Sequence, residues 1–190
     1  MDDETLTARL ADDLDGAFEE LVLSHQDRLY SIALRLTGDP RDAEEVAQDA
    51  FVRAYRAFGG FDAERARALQ LRPWLATIAV NLARNVGRRA RSRPSASALP
   101  DAHLPADDPR HRPEALAARR ESTERWAGLV LDLPERYRLP VVLRHVDDLS
   151  YAEMAEALDR PEGTLKAQVH RGLVLLRAAL DAAEREEMTA

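Results

Sequence analysis

The segment from Leu149 to Lys166 constrains the fold of this chain more than any other. Ser150 stands three residues before Glu153, the spacing at which a hydroxyl and a carboxylate satisfy each other's free amides and start a helix. Ala152, Ala155 and Leu158 give that helix an apolar stripe, and Asp159-Arg160-Pro161 stops it. Past the break, Leu165, Val169, Leu173, Leu176 and Leu180 repeat at helical spacing, which leaves Lys166, His170 and Arg171 on other faces. A short helix, a tight break and a second helix opening with Thr164 and Lys166 is the sequence form of a helix-turn-helix. The second helix of that motif fits a DNA major groove. An ordinary helical hairpin has the same pattern, so the segment alone leaves both readings open.

Helical periodicity continues through most of the remaining chain. Leu14, Phe18, Leu21, His25, Leu29, Ile32 and Leu36 predict a long helix that ends near Gly38. Asp39-Pro40 supplies a cap and a first-turn proline for the next, whose buried side is Ala43, Val46, Ala47, Ala50, Phe51, Ala54 and Phe58. Gly59-Gly60-Phe61 breaks it, a polar segment runs to Arg72, and Pro73 starts a further helix through about Arg89. Residues 92–113 hold five of the ten prolines and lack helical periodicity, as expected of an extended linker. Beyond it come a helix around 114–131, one opened by Pro134, and the helix-turn-helix. The expected fold is all-α: two small helical domains, 1–91 and 114–190, joined by a proline-rich linker over 92–113.

Composition narrows the function. The chain has 190 residues, 45% of them hydrophobic and 32% charged, as in a folded protein rather than a disordered one. No apolar run approaches the roughly 20 residues that cross a bilayer, and the start Met1-Asp2-Asp3-Glu4 is unlike a signal peptide. The absence of cysteine excludes disulfides and thiolate metal sites, so a cytoplasmic protein without membrane insertion is expected. A net charge of −7 argues against coating nucleic acid by bulk attraction. The charge is nevertheless unevenly spread: Arg65 to Pro100 carries eight arginines and no acid, which suggests one local anion-binding face.

Two helix faces deserve chemical roles. Thr77, Asn81, Arg84 and Arg88 fall at steps of four, three and four, opposite the core stripe Leu75, Ile78, Ala79, Leu82 and Val86. Arginines neutralise phosphates, while amides and hydroxyls hydrogen-bond to base edges; a merely solvated face has the same composition. Trp74 suits either a core position or a stacking platform for an unpaired base. On the preceding helix Glu45, Gln48, Asp49 and Val52 form a small acidic face. Nothing points to catalysis or a metal: the five histidines show no ligand spacing, and there is neither a glycine-rich phosphate loop nor a nucleophile elbow. No cofactor is expected.

Together the two halves resemble an extracytoplasmic-function sigma factor, a compact bacterial transcription initiation factor. In the first half the likeness is carried by Asp42-Ala43-Glu44-Glu45-Val46-Ala47-Gln48-Asp49-Ala50-Phe51-Val52-Arg53-Ala54-Tyr55-Arg56 and Trp74-Leu75-Ala76-Thr77-Ile78-Ala79-Val80-Asn81-Leu82-Ala83-Arg84-Asn85. In the second it is carried by Leu133-Pro134-Glu135-Arg136, Leu143-Arg144, Leu149-Ser150-Tyr151, Pro161-Glu162-Gly163-Thr164-Leu165-Lys166 and His170-Arg171. It spans about residue 15 to residue 180.

The resemblance implies that Glu45, Gln48 and Asp49 dock on the clamp helices of the largest subunit of core RNA polymerase, with a further contact to its flap. It implies that Phe61, Ile78 and Asn81 line the pocket for a flipped base of the −10 promoter element, with Trp74 and Thr77 also at that element and Arg84 and Arg88 on the strand backbone. Arg144, Thr164, Lys166, Ala167, Gln168, His170 and Arg171 would meet the −35 duplex. An anti-sigma factor is the implied regulatory partner. Two positions depart from the family pattern: Gln168 stands where arginine is usual, and the segment from Phe61 to Trp74 is a few residues longer. The alternative is a stand-alone helix-turn-helix regulator binding duplex DNA, which leaves the faces of the first half without a task.

Overall fold

The computed structural model describes residues 2–91 and 125–188, all of its regular structure helical. The first half contains α1 (Asp3–Asp12), α2 (Leu14–Thr37), α3 (Pro40–Phe58), α4 (Ala63–Arg67) and α5 (Leu71–Arg91). The second contains α6 (125–132), α7 (Glu135–His145), α8 (Tyr151–Leu158) and α9 (Glu162–Glu187). The expected linker, 92–113, lies outside the described residues, as does 114–124 of the helix expected to follow it.

Short polar side chains start α1, α2, α3, α4 and α8 by accepting from the free amides of the first turn, a contribution of about 1 kcal/mol each. Asp39 accepts from the amides of Arg41 and Asp42 at 2.8 and 3.1 Å, with Pro40 in the first turn, as the sequence indicated. Asp13 closes α1 and caps α2 through the Gly16 amide at 3.0 Å. Gly38 ends α2 with φ of 78°, a left-handed conformation in which a side chain is strained. Ser150 and Glu153 make the reciprocal box, with amide contacts of 3.2 and 2.7 Å.

The core of the first half is a bundle of α2, α3 and α5. Leu21, Leu29 and Ile32 of α2 meet Val46, Ala50 and Ala54 of α3 and Leu71, Leu75 and Ala79 of α5, all at most 1% exposed. Each large side chain buried this way contributes about 1.5–3 kcal/mol. The α3 stripe is the one expected, residue for residue. In the second half α7, α8 and α9 pack around Val142, Leu143, Leu149, Met154 and Leu165, all 0% exposed.

The acid-rich start forms α1, held by buried Leu6 and Leu10. Three expectations need correction. The polar segment after Phe61 contains the short helix α4, and α5 begins at Leu71, with Pro73 in its first turn, where a missing amide costs little. Of the expected α8 stripe Ala155 and Leu158 pack against the core, but Ala152 is exposed and Met154 is the fully buried residue. Leu173 is 40% exposed, because its neighbour Gly172 faces α7 instead. A β-carbon at Gly172 would lie 2.6 Å from the Val141 side chain, so only glycine allows α9 this close.

The two halves pack on each other, α5 against α8 and α2 against α7. Polar contacts join them. The Arg28 guanidinium donates to the Asp147 carboxylate and, at 3.2 Å, to its carbonyl, while Arg72 donates to that carbonyl at 2.9 Å. Arg138 donates to the Leu36 carbonyl at 3.3 Å.

Candidate nucleic-acid interface

The acidic face of α3 is presented outward. Ala43, Val46, Ala47 and Ala50 turn inward, which leaves Glu45, Gln48 and Asp49 exposed beside Val52. Gln48 donates to Glu44 at 3.3 Å, so the exposed row is continuous along one side. Val52 at 46% and Tyr55 at 40% exposure extend it with apolar area.

Around the start of α5 the structure assembles an aromatic cluster. The Phe61 ring lies 5.8 Å from both Phe58 and Trp74, and Phe58 lies 6.1 Å from Trp74. Arg65 sits 4.3 Å over the Phe61 ring, an arrangement in which cation and ring quadrupole attract. Phe61 and Trp74, thirteen residues apart in sequence, are thus neighbours, and both are half-buried.

Along α5 the residues separate. Asn81 is exposed, while Ile78 is partly buried against the core. Thr77 donates to the Pro73 carbonyl at 2.7 Å and lies 3.4 Å from the Ala157 carbonyl of α8, so its hydroxyl is engaged and partly covered. Arg84 points toward the second half, 3.8 Å from Glu135. Arg88 belongs to α5, but its side chain lies outside the described residues.

On the second half, Thr164, Lys166, Ala167, His170 and Arg171 are exposed on α9, while Leu165 and Val169 are buried between them. The left-handed turn at Asp159, with φ of 51°, lets α9 leave α8 at an angle that frees this face. Lys166 pairs with Glu162 at 3.1 Å. Arg144 donates to the Leu149 carbonyl at 3.1 Å, fixing it beside the motif. Gln168 accepts from Arg160 at 3.4 Å, so it is tied to the turn rather than free.

Several participants were absent from the sequence reading. The Tyr151 ring has Arg144 at 5.5 Å and Lys166 at 5.4 Å, linking cations of two helices. Asp147 is another: its side chain is fully buried, and its second carboxylate oxygen has no hydrogen-bond partner. Burial raises its pKa, and the bond and charge of Arg28 pull the other way without prevailing. His25, buried on α2, is shifted down by burial against the opposing pull of Asp3 at 3.6 Å. The Arg28 contact spans 119 residues and leaves no local signal. Among the described residues no group of three or more metal-ligating side chains comes together, and no helix is long and apolar enough to cross a membrane.

The chain is an all-helical pair of units, one with a polar face on its long helix and one with an exposed helix-turn-helix, and the family comparisons place it in the class of sigma-70-type initiation factors. Residues 21–93 match the family model of sigma-70 region 2, and residues 124–176 match that of sigma-70 region 4. The chain is 32% identical over 178 residues to the ECF RNA polymerase sigma factor SigW of Bacillus subtilis, covering 86% of this chain and 89% of that one. It is 32% identical over 190 residues to the RNA polymerase sigma-H factor of Pseudomonas aeruginosa, covering 97% and 96%. A solved structure of CnrH in complex with the cytosolic domain of CnrY is similar, with a TM-score of 0.69, 26% identity and coverage of 95% and 97%. The chain belongs to the extracytoplasmic-function family of RNA polymerase sigma factors, which direct promoter recognition.

Proposed function

We propose that three exposed faces divide the work of this sigma factor. Glu45, Gln48 and Asp49 of α3 dock on the clamp helices of core polymerase, with the flap as a second contact. Phe61, Trp74, Ile78 and Asn81 receive the −10 element, and Arg84 and Arg88 hold its backbone once the second half has moved aside. Thr77 joins them when α8 no longer covers it. Lys166, Ala167, His170 and Arg171 read the −35 duplex, with Thr164 beside them, Arg144 in support and Gln168 acting through Arg160. The working units are 1–91 and 114–190, with 92–113 as the connection. The chain carries no catalytic residue of its own, acts in the cytoplasm and is restrained by an anti-sigma factor. Support for that partner comes from the CnrH structure, whose companion is the cytosolic domain of CnrY.

The carrying observation is that Glu45, Gln48 and Asp49 stand exposed in one row on α3, while the apolar stripe of that helix makes its packing. Such a row gives register and association rate more than raw affinity. Gln48→Ala with Asp49→Ala is therefore expected to weaken core binding about tenfold, chiefly in the association rate and more at low salt. The helical fold should be retained. Unchanged affinity in a competition assay with purified core would remove the docking role.

The −35 face gives a second expectation. Arg171 is exposed and carries no ion pair among the described residues. Arg171→Ala should cost about 1–3 kcal/mol if it meets a base edge, with a loss of discrimination at one position. A uniform loss across all −35 sequences, with the salt dependence lowered by about one phosphate contact, would reassign it to the backbone.

A further inference from the structure

The N-terminal helix does more than close the bundle. α1 packs on α2 and across α4, the short helix inside the segment from Phe61 to Trp74. Buried Leu6 and Leu10 fasten it, both at most 2% exposed. On the α2 side Asp3 lies 3.6 Å from His25, and Arg9 pairs with Glu20. On the α4 side Asp12 accepts from Arg67 at 2.5 Å. The helix therefore bridges the rigid bundle and the segment after Phe61.

Within that segment, residues 62–68 are anchored at few points of their own. α4 is one turn long, capped by Asp62 through the Arg65 amide at 2.8 Å, and its one buried side chain is Ala66. Five residues do not form a stable helix without tertiary support. Yet α4 places Arg65 over Phe61, whose ring rests on Phe58 and Trp74. Phe61 is thus held by Phe58 and Trp74 and, through Arg65, by α4, and α4 in turn packs on α1.

We propose that α1 is a brace for this segment and thereby a determinant of which base is accepted at the −10 element. The inference rests on the reading that the segment takes the flipped base. Discrimination by a pocket depends on holding its walls within a fraction of an ångström, so a loosened wall admits the wrong bases without abolishing binding. Asp12 and Arg67 are positioning residues here, acting through α4 on Phe61.

The test is transcription by core polymerase with the full chain on promoters that carry each of the four bases at the flipped position. Removing residues 2–12 is expected to flatten the preference for the best base by about tenfold. Core affinity and −35 dependence should hold. Should the shortened chain lose helical signal, the ion pair decides: Asp12→Arg lowers the preference about two- to fivefold, the scale of an exposed pair, and Asp12→Arg with Arg67→Asp restores it. Undiminished preference in a folded shortened chain would overturn the brace, as would a loss matched by an equal fall in core affinity. Replacing residues 62–68 by a glycine-serine linker separates the two levels. If that replacement leaves the preference intact, the base-taking role of the segment fails and the brace falls with it. If it flattens the preference while the shortened chain and Asp12→Arg do not, only the brace is refuted.

Discussion

Replacing Arg28 and Arg72 by alanine will part the two halves of the free chain. Both arginines converge on Asp147, whose carboxylate is fully buried with one oxygen unpaired. A buried charge that loses its partner typically costs about 3–5 kcal/mol; because Arg28 is 20% exposed, about 2 kcal/mol is the fitting figure, or roughly thirtyfold in the closed-to-open ratio. The effect matters because closure covers Thr77 and turns Arg84 toward Glu135, on the very helix assigned to the −10 element. With no native cysteine, Leu23→Cys and Leu173→Cys can be spin-labelled; the two positions are 62% and 40% exposed on opposite halves. The distance distribution should lengthen and broaden in the double alanine chain. A distribution identical to the parent's would refute the clamp.

The pH dependence of closure follows in sign. Burial raises the Asp147 pKa above its ordinary value against the pull of Arg28 and Arg72, and Glu153 adds in the same upward direction. A raised acid contributes to the closed state most fully below its ordinary range, and that contribution is lost as pH rises through the raised value. The halves should therefore separate more readily as pH increases over that interval, by the same spin-label measurement.

Asn81→Ala with Arg84→Ala is expected to leave core binding near normal and to reduce promoter opening about a hundredfold. An amide that holds a flipped base contributes about 1–3 kcal/mol by hydrogen bonding, and an arginine on the strand backbone adds a smaller, salt-dependent share. Asn81 stands exposed four residues along α5 from Thr77, with neither a core contact nor a described hydrogen bond to lose. For Asn81→Ala alone, loss of activity would thus come from recognition rather than folding, whereas Arg84→Ala also removes the 3.8 Å contact with Glu135. Permanganate footprinting of unpaired thymines checks it; normal melting by this chain would exclude α5 from the −10 role.

Much of this fold was legible in the sequence, and the reasons differ by element. The α3 stripe was readable because Asp39-Pro40 fixes its start and seven apolar positions repeat at 3.6-residue period over the whole helix. The helix-turn-helix was readable from its capping box and from Ala155 and Leu158, although Ala152 was placed on the buried side and Met154 was not. α1 was not: among acids, only Leu6 and Leu10 are large apolar residues on its buried side, too few to show a period. α4 is too short to show a period. Leu173 was misassigned because an interior glycine next to it took the packing position, and a missing side chain carries no hydrophobic signal. The faces of Asn81 and Arg171 followed from spacing, whereas the Arg28–Asp147 contact depends on how two distant units meet.

The decisive measurement is start-site mapping of core polymerase, with and without this chain, on a promoter library in which the −10 and −35 positions are randomised separately. New starts should occur only with the chain present. The Asn81→Ala chain should lose selectivity at the −10 positions alone and the Arg171→Ala chain at the −35 positions alone. Identical start sites with and without the chain, or the same loss from both substitutions, would contradict the division of labour between α5 and α9.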